Sequence, residues 1–173
     1  MKYILLVCAL FAFATGNFAA EPLKSGDEAP DFALKGSDGK TYRTQDFEGK
    51  KPLVVAWFPK AFTSGCTAEC KSMKETGDDI RKFEVAYFAA SVDDAETNRK
   101  FAESLELDFP ILSDPTKETA RAYGVLNERG MANRWTFYIG KDGKILHVDR
   151  GVKAAQHGSD IAAQLKQLGI DEN

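Results

Sequence analysis

The chain has 173 residues, of which 43% are apolar, and its 26 acidic and 23 basic residues leave a formal net charge of −3. A chain of this size is able to bury one ordinary hydrophobic core, and its nearly balanced charge argues against nucleic acid or a membrane surface as a partner. Its three cysteines are too few for a disulfide-dependent scaffold.

The N-terminus has the features of a secretory signal peptide. A basic residue precedes the apolar stretch Tyr3–Ala14, and small residues follow as far as Ala20. Cleavage after Ala14, Gly16 or Ala20 fits, and we favour Ala20, which predicts a signal peptide over residues 1–20 and one domain over residues 21–173. Cys8 would be lost with the leader. We therefore expect a periplasmic or secreted protein.

The first half of the mature chain alternates strand and helix patterns. A hairpin is predicted over Phe32–Arg43 around an Asp-Gly turn, then a buried strand over Leu53–Phe58, a helix over Cys66–Lys82 capped by Thr63 or Ser64, and a second strand over Val85–Val92. A β-α-β unit of this length implies that its two strands are parallel.

The second half begins with a predicted helix from Asp93 or Asp94 to about Leu105, followed by a strand over Phe109–Leu112. A helix is then predicted over Lys117–Tyr123, closed by Gly124. A hairpin of Arg134–Gly140 with Lys144–Asp149 follows, and Ser159 is predicted to cap a last helix. The order of elements resembles the thioredoxin architecture. We expect an α/β fold in which a central mixed sheet is flanked by helices and extended by an N-terminal hairpin.

The segment after the first buried strand predicts nucleophilic chemistry. Pro59 fixes the backbone where the strand ends, and Cys66 lies in the first turn of the following helix. Amide N–H groups and the helix dipole favour an anion there, so we expect a thiolate near neutral pH. Thr63 places a hydroxyl within one turn of the sulfur and is able to donate to a bound oxygen. In an exported protein, Cys66 and Cys70 are better interpreted as a working pair than as structural bracing.

These residues resemble the peroxiredoxin family. The motif Pro59-x-x-x-Thr63-x-x-Cys66 matches that of its active site, and Arg134 matches its arginine before a late strand. The similarity covers the chain from about Gly26 to Leu168, and it is greatest to the Q-type, or bacterioferritin-comigratory, branch.

The resemblance implies reduction of hydrogen peroxide or organic hydroperoxides without a metal or other cofactor. Cys66 would attack the peroxide, while Thr63, Arg134 and backbone N–H groups would hold the developing charge. Cys70 would then form a disulfide with oxidised Cys66, and a thioredoxin-like dithiol would reduce it. Glu69 matches a glutamate that orients the arginine, although a solvated helix carboxylate explains it equally well. The branch implies a monomer, with a dimer as the alternative.

The spacing of Cys66 and Cys70 departs from the usual pattern of the branch, which is five residues instead of four. Residues four apart on an intact helix have Cβ atoms roughly 5–6 Å apart, whereas a relaxed disulfide needs roughly 3.5–4.5 Å. Disulfide formation therefore predicts unwinding of the first turn. The alternative for Cys70 is a small buried hydrophobe without a redox role.

Two other functions compete with the peroxidase. Copper-delivery proteins of the Sco type use a C-x-x-x-C pair on the same fold, but they place a histidine where this chain has Arg134. His147, in a strand, and His157, expected in a loop, are interpreted as structural or surface residues. Exported thiol–disulfide oxidoreductases usually carry C-x-x-C and a proline before the late strand, and neither feature is present here.

Overall fold

The computed structural model describes residues 22–172, so the predicted signal peptide lies outside the described residues. Strands are β1 (Ala33–Gly36), β2 (Thr41–Arg43), β3 (Leu53–Trp57), β4 (Ala86–Ser91), β5 (Ile111–Ser113), β6 (Thr136–Ile139) and β7 (Ile145–Asp149). Helices are α1 (Ser64–Glu75), α2 (Gly77–Arg81), α3 (Ala95–Leu105), α4 (Glu118–Ala122) and α5 (His157–Gln167), with short 3-10 turns at Thr44–Asp46 and Ala154–Gln156.

The strands form one seven-stranded sheet in the order β2-β1-β5-β4-β3-β6-β7. Strand β3 pairs in parallel with β4, which pairs in parallel with β5, and the remaining pairs are antiparallel. The predicted α/β fold with a central mixed sheet and an N-terminal hairpin is therefore confirmed.

Strand β3 is buried along its whole length, as expected for a central strand covered on both faces. Val54 and Ala56 face one apolar cluster, which side chains of α1, α2, α3 and α5 complete. Val55 and Trp57 face the other cluster, against the N-terminal hairpin and the α4 region. Because β3 leads directly into α1, this central position places the start of α1 at the carboxyl end of the parallel strands, where ligands bind in open α/β sheets.

Two predicted helix boundaries were wrong. The helix expected over Cys66–Lys82 ends at Glu75 and restarts at Gly77. Between them, the Thr76 hydroxyl donates to the Ser72 carbonyl at 2.8 Å, a contact that bends helices.

The last helix begins at His157 rather than after Ser159, and Ser159 does not cap it. The Ser159 hydroxyl instead donates to the Gln156 carbonyl at 2.8 Å from inside the first turn. This extra turn places His157 on the same helix face as Ile161 and Leu165, where all three are buried. Over residues 22–172, no helix has both the length and the apolar character needed to span a membrane.

Candidate active site

The loop between β3 and α1 is held from both sides. Phe58 N donates to the Ala90 carbonyl of β4 at 2.8 Å, and Ala61 N donates to Asp93 Oδ2, also at 2.8 Å. Phe62 adopts a left-handed conformation, with φ of 62°, and its side chain is 57% exposed. A non-glycine residue pays a conformational cost there, so the surrounding contacts must fix the loop. Asp93 is thus a loop-positioning residue that sequence reasoning assigned only to a helix end.

Of the two predicted caps, Thr63 rather than Ser64 is the N-cap residue of α1, but its side chain does not cap the helix. Its hydroxyl donates to the Lys60 carbonyl at 3.0 Å, while its own carbonyl accepts from Thr67 N at 2.9 Å. Because the hydroxyl hydrogen is engaged, the oxygen is left as an acceptor for an incoming O–H group. The expectation that Thr63 donates to the ligand therefore changes to one that it accepts.

Cys66 is the third residue of α1, and its free thiol is almost fully buried. Arg134, in the segment before β6, donates from Nη2 to Cys66 Sγ at 3.3 Å. The structure thus brings together two predicted site residues that are 68 positions apart in the chain. A guanidinium beside the sulfur places positive charge where an attacked oxygen would develop negative charge.

Glu69 is buried and ion-paired with Arg134, since Glu69 Oε2 contacts Arg134 Nη1. The alternative of a solvated carboxylate is wrong, because the residue is only 1% exposed. A buried carboxylate requires a partner of opposite charge, and here that partner is the same guanidinium that contacts Cys66. Glu69 therefore fixes one edge of the guanidinium while the other edge faces the sulfur.

His157 was predicted to lie in a loop, and that placement was wrong, because the residue begins α5. Its imidazole is completely buried, with Nδ1 2.9 Å from Glu69 Oε1 and Nε2 2.8 Å from Thr136 Oγ1. Burial lowers the pKa of His157 to about 4. The sequence did contain a signal for this placement. His157 lies four residues before Ile161 and eight before Leu165, so it extends the buried face of α5 by one turn.

Cys70 lies one turn after Cys66 in α1 and is also a free, buried thiol. It packs into the apolar cluster that also contains Met73. Burial and the neighbouring Cys66 raise the pKa of Cys70 to about 12. Cys70 is therefore a protonated thiol in the folded helix, chemically distinct from Cys66 beside its guanidinium.

Pro59 and Arg134 line a surface groove of about 540 Å³, whereas Cys66 and Thr63 do not. Its other lining residues are Asn127, Glu128, Arg129, Met131, Ala132 and Asn133. The groove gives a small ligand room beside the guanidinium. A more enclosed cavity of about 260 Å³ lies near the start of β3 and is lined by none of the predicted site residues.

The copper alternative gains no support from side-chain placement. Across residues 22–172, no group of three or more His, Cys, Asp or Glu side chains is placed to hold a metal ion. His157 is directed at Glu69 and Thr136, and His147 lies on β7 with its ring beside Tyr138, 5.7 Å between centroids.

Comparisons with known proteins agree on one family. The sequence model of the AhpC/TSA family matches residues 25–148. Peroxiredoxin Bcp of Escherichia coli K12 is 35% identical over 153 residues, which are 84% of this chain and 97% of that protein.

Solved structures show the same relationship. The crystal structure of peroxidoxin BcpB from Mycobacterium tuberculosis has a TM-score of 0.76 at 29% identity, covering 84% of this chain and 97% of that one. The bacterioferritin comigratory protein of Xanthomonas campestris, described for its alkyl peroxide reduction activity, has a TM-score of 0.73 at 25% identity, covering 79% of this chain and 90% of that one. The predicted thioredoxin-like fold is confirmed by these neighbours.

Proposed function

Since the chain belongs to the AhpC/TSA family and is a Q-type peroxiredoxin, we propose that Cys66 is the residue that its hydroperoxide substrate oxidises. The observation that carries this assignment is the contact of 3.3 Å from Arg134 Nη2 to Cys66 Sγ at the start of α1. Cys70, the other described cysteine, shares the apolar cluster of Cys66, but it is a protonated thiol and lacks such a contact with Arg134 among the described hydrogen bonds.

In the first step, the Cys66 thiolate attacks the terminal oxygen of the hydroperoxide. An S–O bond forms as the O–O bond breaks, the sulfur is oxidised to a sulfenic acid, and the leaving oxygen takes a proton to depart as water or an alcohol. Arg134 stabilises charge on the two peroxide oxygens, and Thr63 accepts from the peroxide O–H. Pro59 forms the wall of the groove through which the substrate enters.

In the second step, the Cys70 thiol attacks the sulfenic acid sulfur, releasing water and forming the Cys66–Cys70 disulfide. Cys70 is buried, so the first turn of α1 must unwind before the two sulfur atoms meet. A thioredoxin-like dithiol then reduces the disulfide by exchange and returns both thiols. We propose that this cycle takes place in the periplasm or outside the cell and in a monomer.

Turnover of single-cysteine variants tests the assignment. Cys66→Ser should abolish hydroperoxide consumption with thioredoxin and its reductase as the electron source. Cys70→Ser should still consume one equivalent of hydrogen peroxide and stop as a sulfenic acid detectable by mass. Full turnover by Cys70→Ser with thioredoxin would overturn the resolving role, and turnover by Cys66→Ser would overturn the proposal itself.

A further inference from the structure

We propose that His157 is a positioning residue for the peroxide reaction, which holds the Glu69 carboxylate in the orientation that aims Arg134 at Cys66. The inference rests on the proposed function, because it assigns His157 to the step in which Cys66 is oxidised. His157 contacts neither Cys66 nor the groove in the contacts described above, and it acts through Glu69.

The contacts form one chain from Thr136 to the sulfur. Thr136 Oγ1 lies 2.8 Å from His157 Nε2, and His157 Nδ1 lies 2.9 Å from Glu69 Oε1. The second carboxylate oxygen, Glu69 Oε2, contacts Arg134 Nη1, and Arg134 Nη2 donates to Cys66 Sγ at 3.3 Å. Both oxygens of the carboxylate are therefore held, one by His157 and one by Arg134.

The chemistry of these partners fixes the tautomer of His157. An ionised carboxylate only accepts, so the contact of 2.9 Å between Nδ1 and Glu69 Oε1 requires the hydrogen on Nδ1. In a neutral imidazole Nε2 is then an acceptor, and the Thr136 hydroxyl donates to it. Thr136 thus selects the tautomer that has its donor directed at Glu69.

Four charged groups act on the imidazole from the elements packed around it. They are Glu69 on α1, Arg134 before β6, Asp149 on β7 and Asp160 on α5 itself. Burial is the largest effect and disfavours a positive charge on the imidazole, as does Arg134, whereas Asp149 and Asp160 favour one. The pKa of His157 falls to about 4 as a result. The imidazole is therefore neutral at neutral pH, and its role is that of a fixed donor rather than a titrating acid.

Close helix packing brings His157 within reach of α1. A Cβ on Gly158 would lie 1.8 Å from Thr76 Oγ1 and 2.4 Å from the Ser72 carbonyl, so a larger residue does not fit. Gly158 N also donates to Ser72 Oγ at 3.1 Å. The start of α5 is therefore anchored on α1 at Gly158, the residue that follows His157.

This arrangement predicts a separation of the two steps. Glu69 lies between Cys66 and Cys70, so the unwinding that joins the two cysteines takes Glu69 away from His157. Loss of the His157 donor should slow sulfenic acid formation, which needs the folded turn, without slowing disulfide formation, which needs the turn to open.

Matched substitutions test the donor. The side-chain amide of His157→Asn lies near the position of Nδ1, whereas that of His157→Gln lies near Nε2, and His157→Leu supplies no donor. We expect the rate constant of the reaction with hydrogen peroxide, followed by stopped-flow tryptophan fluorescence, to stay within about threefold for His157→Asn and to fall about tenfold or more for the other two. The rate of the later disulfide step should not fall, and His147→Gln serves as the control.

Two results would overturn the inference, and a third would overturn the proposed function. Wild-type-like oxidation of His157→Gln and His157→Leu would overturn it, as would an equal slowing of both steps. A slow wild-type reaction would instead overturn the proposed function, so the two failures are distinguishable.

A measurement on the unsubstituted protein tests the inference without requiring that any variant fold. The chain has two histidines, so ¹⁵N spectra of labelled side chains are readily assigned. His157 should be protonated at Nδ1 and not at Nε2 from pH 7.5 to 5.5 in the reduced protein, and disulfide formation should change its signals. A hydrogen on Nε2 in the reduced protein would contradict the inference.

Discussion

Arg134 contacts Glu69 with one guanidinium nitrogen and the sulfur of Cys66 with the other, although Glu69 and Cys66 lie on the same helix, three residues apart. The planar fork of arginine is suited to this double contact, whereas the point charge of a lysine satisfies only one partner at a time. The site therefore depends on the shape of the guanidinium as well as on its charge.

Arg134→Lys should accordingly slow oxidation of Cys66 even though the charge is kept. We expect the rate constant with hydrogen peroxide to fall about 100-fold, the usual scale for removing an oriented charge-stabilising donor. Stopped-flow fluorescence on the reduced protein measures it. Arg99→Lys on the exposed face of α3 is the matched control and should react like the wild type. If the rate constant of Arg134→Lys fell less than threefold, the planar shape of the guanidinium would not be required.

Gly65 leaves the space through which Arg134 reaches the sulfur. A Cβ at this position would lie 3.2 Å from Arg134 Nη2, closer than ordinary contact. Gly65→Ala should therefore displace the guanidinium by a few tenths of an ångström and reduce the rate constant about threefold to tenfold.

The same substitution should not destabilise the helix. Alanine is favoured over glycine within a helix by roughly 0.5–1 kcal/mol, so the free energy of unfolding should be unchanged or raised. Gly151→Ala is the control, since its Cβ would be 3.7 Å from the nearest atom, Asp149 Oδ1. A Gly65→Ala protein that is both stable and fully active would show that Arg134 needs no such clearance.

Burial of His157 makes stability depend on pH. Its pKa is about 4 in the folded protein, against an ordinary value of 6.5, so the unfolded chain binds more protons between these values. The free energy of unfolding should therefore fall as the pH decreases from about 6.5 towards 4. From these two pKa values, protonation of His157 should lower the free energy of unfolding by about 2 kcal/mol between pH 7 and pH 5.

Urea unfolding of the wild type and His157→Asn at pH 7 and pH 5 isolates this contribution. The wild type should lose more stability than the variant by about 2 kcal/mol. Equal losses in the two proteins would mean that His157 keeps an ordinary pKa when folded.

Oxidation should melt the start of α1. An intact turn keeps the Cβ atoms of Cys66 and Cys70 too far apart for a relaxed disulfide, and Cys70 is fully buried in the reduced form. Amide hydrogens of residues 66–70 should exchange faster in the disulfide form than in the reduced form, while those of β3 serve as an internal control. Identical exchange in the two forms would rule out the unwinding step.

Most of the fold follows from local patterns. The Asp-Gly hairpin, the apolar run of β3 and the Asp94 cap of α3 all have signals within a few residues, and the structure places these elements within one or two residues of the predictions. The errors occur where a tertiary contact overrides the local pattern. The break at Thr76 and the early start of α5 both arise where Gly158 packs against α1.

The candidate site divides in the same way. Cys66 was predicted from its place after a strand and at the start of a helix, because that chemistry is local. Arg134 and Glu69 were linked to it through a family resemblance, since nothing local indicates that a residue 68 positions away contacts the sulfur. His157 escaped prediction because its role depends on burial against another helix.

The most direct test of the account follows the unsubstituted protein through one turnover. Reduced protein comprising residues 21–173 is mixed with one equivalent of hydrogen peroxide in metal-free buffer. Free thiols are counted over time, and the modified residues are located by peptide mass. We expect rapid loss of two thiols and formation of a Cys66–Cys70 disulfide. A reaction no faster than that of an ordinary free thiol, or oxidation that leaves Cys66 unmodified, would contradict it.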